Sequence, residues 1–256
     1  MELDNTLLNI DYLVYSSHKT ATQTVSHTLR KSNFRCIHCH SLTNKTTQLE
    51  HGTFLQYLEQ YYLNKNKNLN IITVFREPIE RHISSFFQWY GWGVVRKKLV
   101  QDTTETIIYK HSIKELQEYF IYLLDSQSLA GRHESIDEIC KELNIDVADL
   151  NYNAEKQYGL IEMDYCRLFI FRFDILIYRG RLNYLLSKIT EKPVKQKNAN
   201  VSTFKWYGDI FSEFKGSIKL PHSTIIQVYE RKRNIINLLY PGEYAARLAV
   251  ALEKYG

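Results

Sequence analysis

The sequence has little cysteine and no long apolar run. Its 256 residues include only four cysteines, Cys36, Cys39, Cys140 and Cys166, too few and too scattered for a disulfide framework. No apolar segment approaches the roughly 20 residues that a membrane helix needs. Residues 1–9 are acidic and lack the basic and then apolar pattern of a signal peptide. The sequence therefore predicts a cytoplasmic protein without an integral membrane segment.

The sequence also lacks a strongly basic stripe and an RNA-binding aromatic motif, although it carries 19 tyrosines and a formal net charge of +5. Hydrophobic residues make up 44% of the chain, enough for a globular protein with a buried core. The modest positive charge suits an anionic ligand or an acidic acceptor. We therefore expect a globular protein that does not bind nucleic acid.

The distribution of apolar residues predicts an α/β fold. Short runs rich in strand-forming residues predict strands over Ile10–Tyr15, Phe34–His40 and Ile71–Phe75, each followed by helical spacing. This order favours a parallel sheet with right-handed crossovers, flanked by helices. A further strand is predicted over Leu160–Phe173. The remaining pattern predicts helices over Gly52–Leu63, Pro78–Trp89, most of 103–150, Tyr178–Thr190, Thr203–Phe214, Ser223–Leu239 and Glu243–Lys254.

The first predicted strand ends in a loop that is rich in hydroxyl groups and passes directly into a helix. Its sequence is Ser16-Ser17-His18-Lys19-Thr20-Ala21-Thr22-Gln23-Thr24. A helix N-terminus attracts anions, and one lysine with several hydroxyls adds donors. The same composition is also typical of a threonine-rich helix cap with a surface lysine. A Walker A loop would need glycine at Leu13 and His18, so the loop is not typical of a nucleoside triphosphate site.

A second candidate anion site follows the buried strand Ile71–Phe75. Arg76 stands at the end of that strand, Pro78 suits the first turn of the next helix, and Ser84 lies about 9 Å further along it. A long guanidinium can fold back over that distance and share one phosphate with the serine hydroxyl. The alternative is an arginine that caps loop carbonyls and a serine that faces solvent.

Two histidines between these sites are candidates for a general base. In Cys36-Ile37-His38-Cys39-His40 both imidazoles point to the same side of a strand, near the edge where open parallel sheets bind ligands. With a reference pKa of about 6.5, a histidine is largely neutral at working pH and can accept a proton. Two alternatives remain open. Cys36, His38 and His40 can be metal ligands, although the sequence offers no companion cluster, or both histidines form structural hydrogen bonds.

These motifs resemble those of sulfotransferases that use 3′-phosphoadenosine 5′-phosphosulfate (PAPS). The pattern Arg-x-Pro-x-x-Arg-x-x-Ser over residues 76–84 resembles their 3′-phosphate motif, and the Lys-Thr start of 19–24 resembles the 5′-phosphosulfate loop of the carbohydrate enzymes. The segment with His38 and His40 resembles the His-x-His strand of heparan sulfate 2-O-sulfotransferases. Lys205-Trp206-Tyr207 is similar to the Asn-Lys-Trp-Tyr-Ser signature of a bacterial family of capsular polysaccharide synthesis, from which Phe204 and Gly208 depart.

The resemblance implies one sulfotransferase domain of P-loop NTPase-like fold over residues 1–256. Residues 1–95 would form the nucleotide-binding core, and 96–256 a mostly helical remainder with acceptor-binding elements. Lys19 would hold the oxygen between phosphate and sulfate, the five residues that follow it the 5′-phosphate, and Arg76 with Ser84 the 3′-phosphate. His40 would be the base and His38 an accessory group, although the assignment between them is open.

The implied reaction moves a sulfuryl group from PAPS to a hydroxyl of a glycan or lipid-linked saccharide and releases adenosine 3′,5′-bisphosphate. No metal is implied, because cationic side chains and helix termini supply the positive field. Two other functions stay open. A P-loop kinase or nucleotide hydrolase would need an acidic residue at a strand end, where Arg76 stands instead. The other is a non-catalytic protein that binds an anion or nucleic acid.

Overall fold

A computed structural model of the chain describes residues 9–16, 20–39, 54–65, 67–87, 112–126, 135–178, 180–195 and 208–256. The chain divides into two compact units. The first comprises Met1–Arg76 and His133–Asn200, and the second comprises Glu77–Arg132 and Val201–Gly256. The first boundary therefore falls directly after Arg76.

The first unit contains a six-stranded sheet in the order β2-β1-β3-β6-β5-β4. Its strands are β1 (Tyr12–Tyr15), β2 (Cys36–Cys39), β3 (Leu69–Phe75), β4 (Asn151–Asn153), β5 (Tyr158–Glu162) and β6 (Cys166–Arg172). β2, β1, β3 and β6 run parallel, whereas β5 is antiparallel to both β6 and β4. The predicted α/β class is confirmed, but the sheet is mixed, so the prediction of a parallel sheet holds for four of its strands.

The mixed sheet arises because the single strand predicted over Leu160–Phe173 reverses direction. The N–H of Met163 donates to the carbonyl of Cys166 at 2.8 Å and closes a tight turn. Beyond the turn β6 returns alongside β5, with Ile161 paired to Leu168. The strands on both sides of the turn are largely buried and apolar, so the hydrophobic pattern continues across it.

The described helices are largely those that the sequence predicts. They are α1 (Thr22–Lys31), α2 (Phe54–Lys65), α3 (residues 78–87), α4 (Ile113–Asp125), α5 (Ser135–Glu142), α6 (Phe173–Leu176), α7 (Arg181–Thr190), α8 (Gly208–Ser217), α9 (His222–Glu230), α10 (Arg233–Leu239) and α11 (Tyr244–Tyr255), with a 3₁₀ turn at Val147–Asp149. The prediction of one helix over Ser223–Leu239 is wrong, because the helix breaks between α9 and α10. Apolar residues keep helical spacing across that break, which conceals it in the sequence.

The core of the first unit lies between the sheet and two helices. Val25 and Leu29 of α1 and Leu185 of α7 are fully buried there, against alternate residues of the strands. Those strand residues are Tyr12, Val14, Cys36, Ile72, Val74, Phe169 and Phe171. Because side chains alternate along a strand, one face of the four parallel strands is turned to α1 and α7.

The described part of the second unit consists of helices that pack around an aromatic core. Phe86 and Phe87 of α3 pack against Phe120 of α4 and Phe211 and Phe214 of α8, with ring centroids 5.1 to 5.7 Å apart. This buried cluster holds α3 from its carboxyl end. None of the helices in the described part of the chain is long and apolar enough to cross a membrane.

The amino end of α3 is held by its own carboxylates. The side chain of Glu77 accepts hydrogen bonds from the N–H groups of Ile79 (3.1 Å) and Glu80 (2.6 Å) and from the Tyr229 hydroxyl (2.9 Å). The carboxylate of Glu80 pairs with Lys254 at 2.9 Å and Lys215 at 3.2 Å. The predicted helix start at Pro78 is confirmed, and Glu77 caps it.

His82 on α3 makes the stability of the protein depend on pH. It is buried, and its ring nitrogens lie 3.3 and 3.5 Å from a guanidinium nitrogen of Arg81. Burial lowers the pKa of His82 well below its ordinary value of 6.5, and the charges of Arg81, Lys232 and Arg231 lower it further. The folded protein therefore binds this proton more weakly than the unfolded chain. The contribution to stability is complete above about pH 6.5 and is lost as the pH falls.

We predict that His82→Gln makes the free energy of unfolding less dependent on pH between 5 and 7. The slope of wild type minus variant should approach about 1.4 kcal/mol per pH unit, the value for one proton. Urea unfolding at a series of pH values measures both slopes. Burial also raises the pKa of Glu77, so this residue makes the free energy of unfolding fall as the pH rises. Both proteins contain Glu77, so its contribution cancels when the two slopes are subtracted. Identical slopes in the two proteins would contradict the prediction.

Candidate anion-binding site

The carboxyl ends of β1 and β3 form the topological switch point of the sheet. The next strand after β1 lies on one side of it, whereas β3 is followed in the parallel part of the sheet by β6 on the other side. Open α/β sheets bind ligands in the crevice outside such a point. The residues that follow β1 and β3 are therefore candidates for a ligand-binding site.

Ser16 joins the two strands at the switch point. Its hydroxyl donates to the carbonyl of Val74 at 3.1 Å and accepts from the N–H of Val74 at 3.2 Å. The regular pairing of β1 and β3 ends at Val14 and Ile72, so this fully buried side chain extends the contact by two more residues. A buried serine hydroxyl needs such partners. No local sequence pattern indicates this role of Ser16.

Thr20 and Ala21 determine how the loop enters α1. The buried hydroxyl of Thr20 lies 2.7 Å from that of Ser16. The two hydroxyls share a hydrogen bond, because each can act as donor or acceptor. Ala21 adopts a left-handed conformation, with φ 63° and ψ 15°, which costs an alanine about 1–2 kcal/mol. The loop thus makes a strained turn immediately before the helix.

The N-terminus of α1 has no neutralising side chain among the described residues. Ala21 occupies the N-cap position and has no side-chain oxygen, and the first turn contains no acidic residue. Of the predicted phosphate ligands in that turn, Thr22 is buried, Gln23 is exposed and Thr24 is half-buried. The partial positive charge of the helix therefore remains for an external anion.

Arg76 stands at the carboxyl end of β3 and contacts the neighbouring strand end. Because Phe75 pairs in register with Arg172, the next residue of each strand lies beside the other. The guanidinium carbon of Arg76 lies 4.4 Å from the centre of the Phe173 ring. This cation–π contact limits the positions of a long side chain. Phe173 is 97 residues away from Arg76 in the chain, so no local sequence pattern indicates the contact.

The register shows how the candidate residues lie along the sheet. Thr20 is tied through Ser16 to the level of Val74, and Arg76 follows Val74 by two residues, or about 7 Å. His38 is half-buried and pairs with Val14, which in turn pairs with Ile72. It therefore lies about 13 Å before Arg76 along the strand direction. The structure brings Thr20, Ala21 and Arg76 to the switch point and sets His38 back from it.

Three predicted site residues remain to be considered. Lys19 and His40 lie outside the described residues, so their roles stay predictions. Ser84 lies on α3 in the second unit and is only 3% exposed. The alternative in which Ser84 faces solvent is therefore wrong. The sharing of one phosphate by Ser84 and Arg76 stays a prediction.

The structure bears on the metal alternative through Cys36. Cys36 is buried, and that burial raises the pKa of its thiol to about 12. The carbonyl of Cys36 accepts a hydrogen bond from Nε of Arg30 at 2.8 Å, and its side chain lies in the core beneath α1. In the part of the chain that the structure describes, no group of three His, Cys, Asp or Glu residues can hold a metal ion.

Asp174 is an acidic residue at a strand end that sequence analysis did not identify. It follows β6, and its carboxylate accepts hydrogen bonds from Nη2 of Arg172 at 2.8 Å and from Nε at 3.2 Å. The guanidinium carbon of Arg172 also lies 5.8 Å from the centre of the Tyr152 ring. A two-point contact with a guanidinium offsets the charge of the carboxylate, so Asp174 is poorly suited to bind magnesium.

Comparisons of the chain with protein-family models, with curated proteins and with solved structures find no match. The chemistry of the switch point is therefore the basis for a functional proposal. It offers an uncapped helix N-terminus and a stacked guanidinium on adjacent strands.

We predict that Ala21→Gly raises the free energy of unfolding by about 1 kcal/mol, because glycine adopts the left-handed conformation without the steric cost of a Cβ atom. The matched control is Ala246→Gly, at an exposed position of α11, which should lower it by about 1 kcal/mol. Urea unfolding of both variants measures the change. A decrease of equal size in both variants would show that residue 21 is not strained.

Proposed function

We propose that the protein is a sulfotransferase that moves a sulfuryl group from PAPS to a hydroxyl of a carbohydrate. One observation carries the proposal: the switch point presents the uncapped N-terminus of α1 after β1 and the guanidinium of Arg76 after β3. PAPS carries anionic groups at both ends of one nucleoside. Two cationic elements on adjacent strands therefore suit PAPS better than they suit a ligand with a single phosphate.

The α1 end supports a 5′-phosphosulfate position. Backbone N–H groups of a first helical turn bind a phosphate without an added side-chain charge, and α1 has no carboxylate there to compete. The Lys19 ammonium would lie directly before this turn in the chain. The hydroxyl of Thr20, tied to Ser16, keeps the loop against β1 and β3. The resemblance of this loop to sulfotransferase loops agrees with that chemistry.

The Arg76 end supports a 3′-phosphate position. A guanidinium presents two parallel donors to a phosphate, and stacking on Phe173 reduces the conformational freedom lost on binding. The amino end of α3 cannot serve the same purpose, because the Glu77 carboxylate already occupies its N–H groups. Arg76 is therefore the proposed ligand of the 3′-phosphate, with Ser84 as its proposed partner.

The bound donor would supply an activated sulfuryl group to an acceptor hydroxyl in line with the leaving phosphate. The task of the protein in such a loose transition state is positioning and charge stabilisation. Lys19 would stabilise the charge that grows on the leaving oxygen. His40 would hold the proton of the acceptor hydroxyl. His38, set back by one side-chain repeat from the level of Ser16, suits a supporting role.

The proposed acceptor is a glycan or lipid-linked saccharide, as in capsular or surface polysaccharide synthesis. This part of the proposal depends on the short resemblance around Lys205-Trp206-Tyr207, which lies outside the described residues. The two rival functions have weaker support. A kinase needs a carboxylate for magnesium, and among the described strand ends Asp174 is bound by Arg172. A non-catalytic anion-binding protein shares the same cationic groups and differs only in turnover.

We predict that adenosine 3′,5′-bisphosphate raises the melting temperature, whereas ATP with magnesium does not, because two anionic ends match the two cationic elements. Arg76→Ala should weaken binding of the bisphosphate about tenfold to a hundredfold, the range for a hydrogen bond to a charged group. Thermal shift and calorimetry measure both effects.

The control for Arg76→Ala is Arg233→Ala, which removes a guanidinium stacked 4.7 Å from the Tyr244 ring and 52% exposed. It should bind the bisphosphate with wild-type affinity. If ATP with magnesium stabilises the protein and the bisphosphate does not, a kinase function replaces the sulfotransferase proposal.

We further predict that the protein transfers labelled sulfate from PAPS to at least one glycan of a carbohydrate panel. His40→Ala and Lys19→Ala should each lower kcat by about a hundredfold or more, because they remove a proton acceptor and a charge-stabilising group. His38→Ala should have the smaller effect. Turnover assays with each variant measure this order. Bisphosphate binding without any transfer would favour the non-catalytic function, and full turnover in both His40→Ala and Lys19→Ala would refute their roles.

A further inference from the structure

A cavity of about 480 Å³ lies at the amino end of the sheet, opposite the switch point. Its walls come from the residues that precede β1 and β2, from the start of β3 and from Lys192 after α7. All of these residues belong to the first unit. The volume is in the range of small-ligand sites. The proposed donor site does not use this cavity, because the two lie at opposite ends of the same strands.

The floor of the cavity is held by hydrogen bonds within the protein. Nδ2 of Asn70 donates to the carbonyl of Asp11 at 3.1 Å, and its Oδ1 accepts from Nε of Arg167 at 3.0 Å. The hydroxyl of Tyr62 donates to the carbonyl of Ile10. Burial raises the pKa of Tyr62 to about 12, so this phenol stays neutral and remains a donor. The floor is therefore fixed, and the exposed side chains of the rim are left to contact a ligand.

The rim has a positive balance. Arg35, Lys67 and Lys192 line the cavity with one carboxylate, that of Asp11. Asp11 accepts hydrogen bonds from the N–H of Arg35 at 2.8 Å and from its Nη2 at 2.9 Å. Partial burial raises the pKa of Asp11, but Arg35 and the nearby charge of Lys192 outweigh it and hold the pKa below its ordinary value. The carboxylate is thus balanced by Arg35, and two ammonium groups remain for an anion.

The polar side chains of the rim favour a ligand with hydroxyl groups. Asn9, Asn33 and Asn68 are exposed and line the cavity. A side-chain amide offers both donors and an acceptor, as a sugar hydroxyl requires. Planar bases are less suited, because ammonium groups already lie over two of the aromatic rings that line the cavity. Lys192 is 5.6 Å from the Phe34 ring centre, and Lys65 is 6.0 Å from that of Tyr61.

We propose that this cavity binds an acidic saccharide, with the amides on its hydroxyls and Lys67 and Lys192 on its anionic substituent. The proposal rests on the chemistry of the cavity and does not require the sulfotransferase activity. A saccharide bound here is held at the edge of the sheet away from the reacting groups. The site would therefore retain a glycan and would not take part in the transfer step.

The test is calorimetric titration of the whole chain with four probes. They are a tetrasaccharide of alternating glucuronate and N-acetylglucosamine, the neutral maltotetraose, inorganic sulfate and a single-stranded oligonucleotide. We expect binding of the acidic tetrasaccharide, with at least tenfold weaker binding of the other three. Equal affinity for maltotetraose or sulfate would overturn the proposal, and tighter binding of the oligonucleotide would replace it with a nucleic-acid site.

Two variants identify the cavity as the place of binding. Lys192→Ala and Lys67→Ala should each weaken binding of the acidic tetrasaccharide about tenfold, since each removes a charged donor. The matched control is Lys188→Ala, whose ammonium lies 5.6 Å from the Tyr184 ring outside the cavity and which should bind as wild type. All three should keep wild-type affinity for adenosine 3′,5′-bisphosphate, so failure here is distinct from failure at the donor site. Wild-type tetrasaccharide affinity in both cavity variants would refute the assignment.

Discussion

The hydrogen bonds of Ser16 are the interaction on which the geometry of the candidate site depends. A single buried hydroxyl joins the carboxyl end of β1 to both main-chain groups of Val74, and it shares a hydrogen bond with the hydroxyl of Thr20. The loop after β1 is thereby held against β3, and α1 must begin within two residues of Thr20. The left-handed conformation of Ala21 follows from this short path, because the chain has to turn sharply to enter the helix.

Helices α1 and α3 follow the neighbouring strands β1 and β3 in the chain, and their amino ends differ in charge. Glu77 places a carboxylate on the N–H groups of α3, so that end is neutralised by the chain itself. At α1 the N-cap is an alanine, and the first turn has no acid. Since helix ends attract anions in general, the contrast between the two ends is more informative than the presence of either. It also leaves Arg76, and not the α3 terminus, as the cationic group that follows β3.

The sequence predicts local features well and contacts between distant residues poorly. The three parallel strands at the N-terminus, the helix after Thr20 and the start of α3 at Pro78 follow from hydrophobic runs and from proline. The stacking of Arg76 on Phe173 depends on the pairing of β3 with β6, which no local pattern encodes. The reversal between β5 and β6 is hidden for a related reason, because buried strands on both sides of a short turn form one apolar segment. The division of α9 from α10 is likewise hidden by continuous helical spacing.

The pairing of β3 with β6 has a consequence for the order of synthesis on the ribosome. β3 emerges as Leu69–Phe75, but its neighbour Cys166–Arg172 is made roughly 90 residues later. Until then one side of a largely apolar strand has unpaired main-chain groups, which is the condition that favours association between nascent chains. Residues Glu77–Arg132 of the second unit are translated during this interval. The Arg76–Phe173 contact can form only after β6 has paired, so the candidate site is completed late in folding.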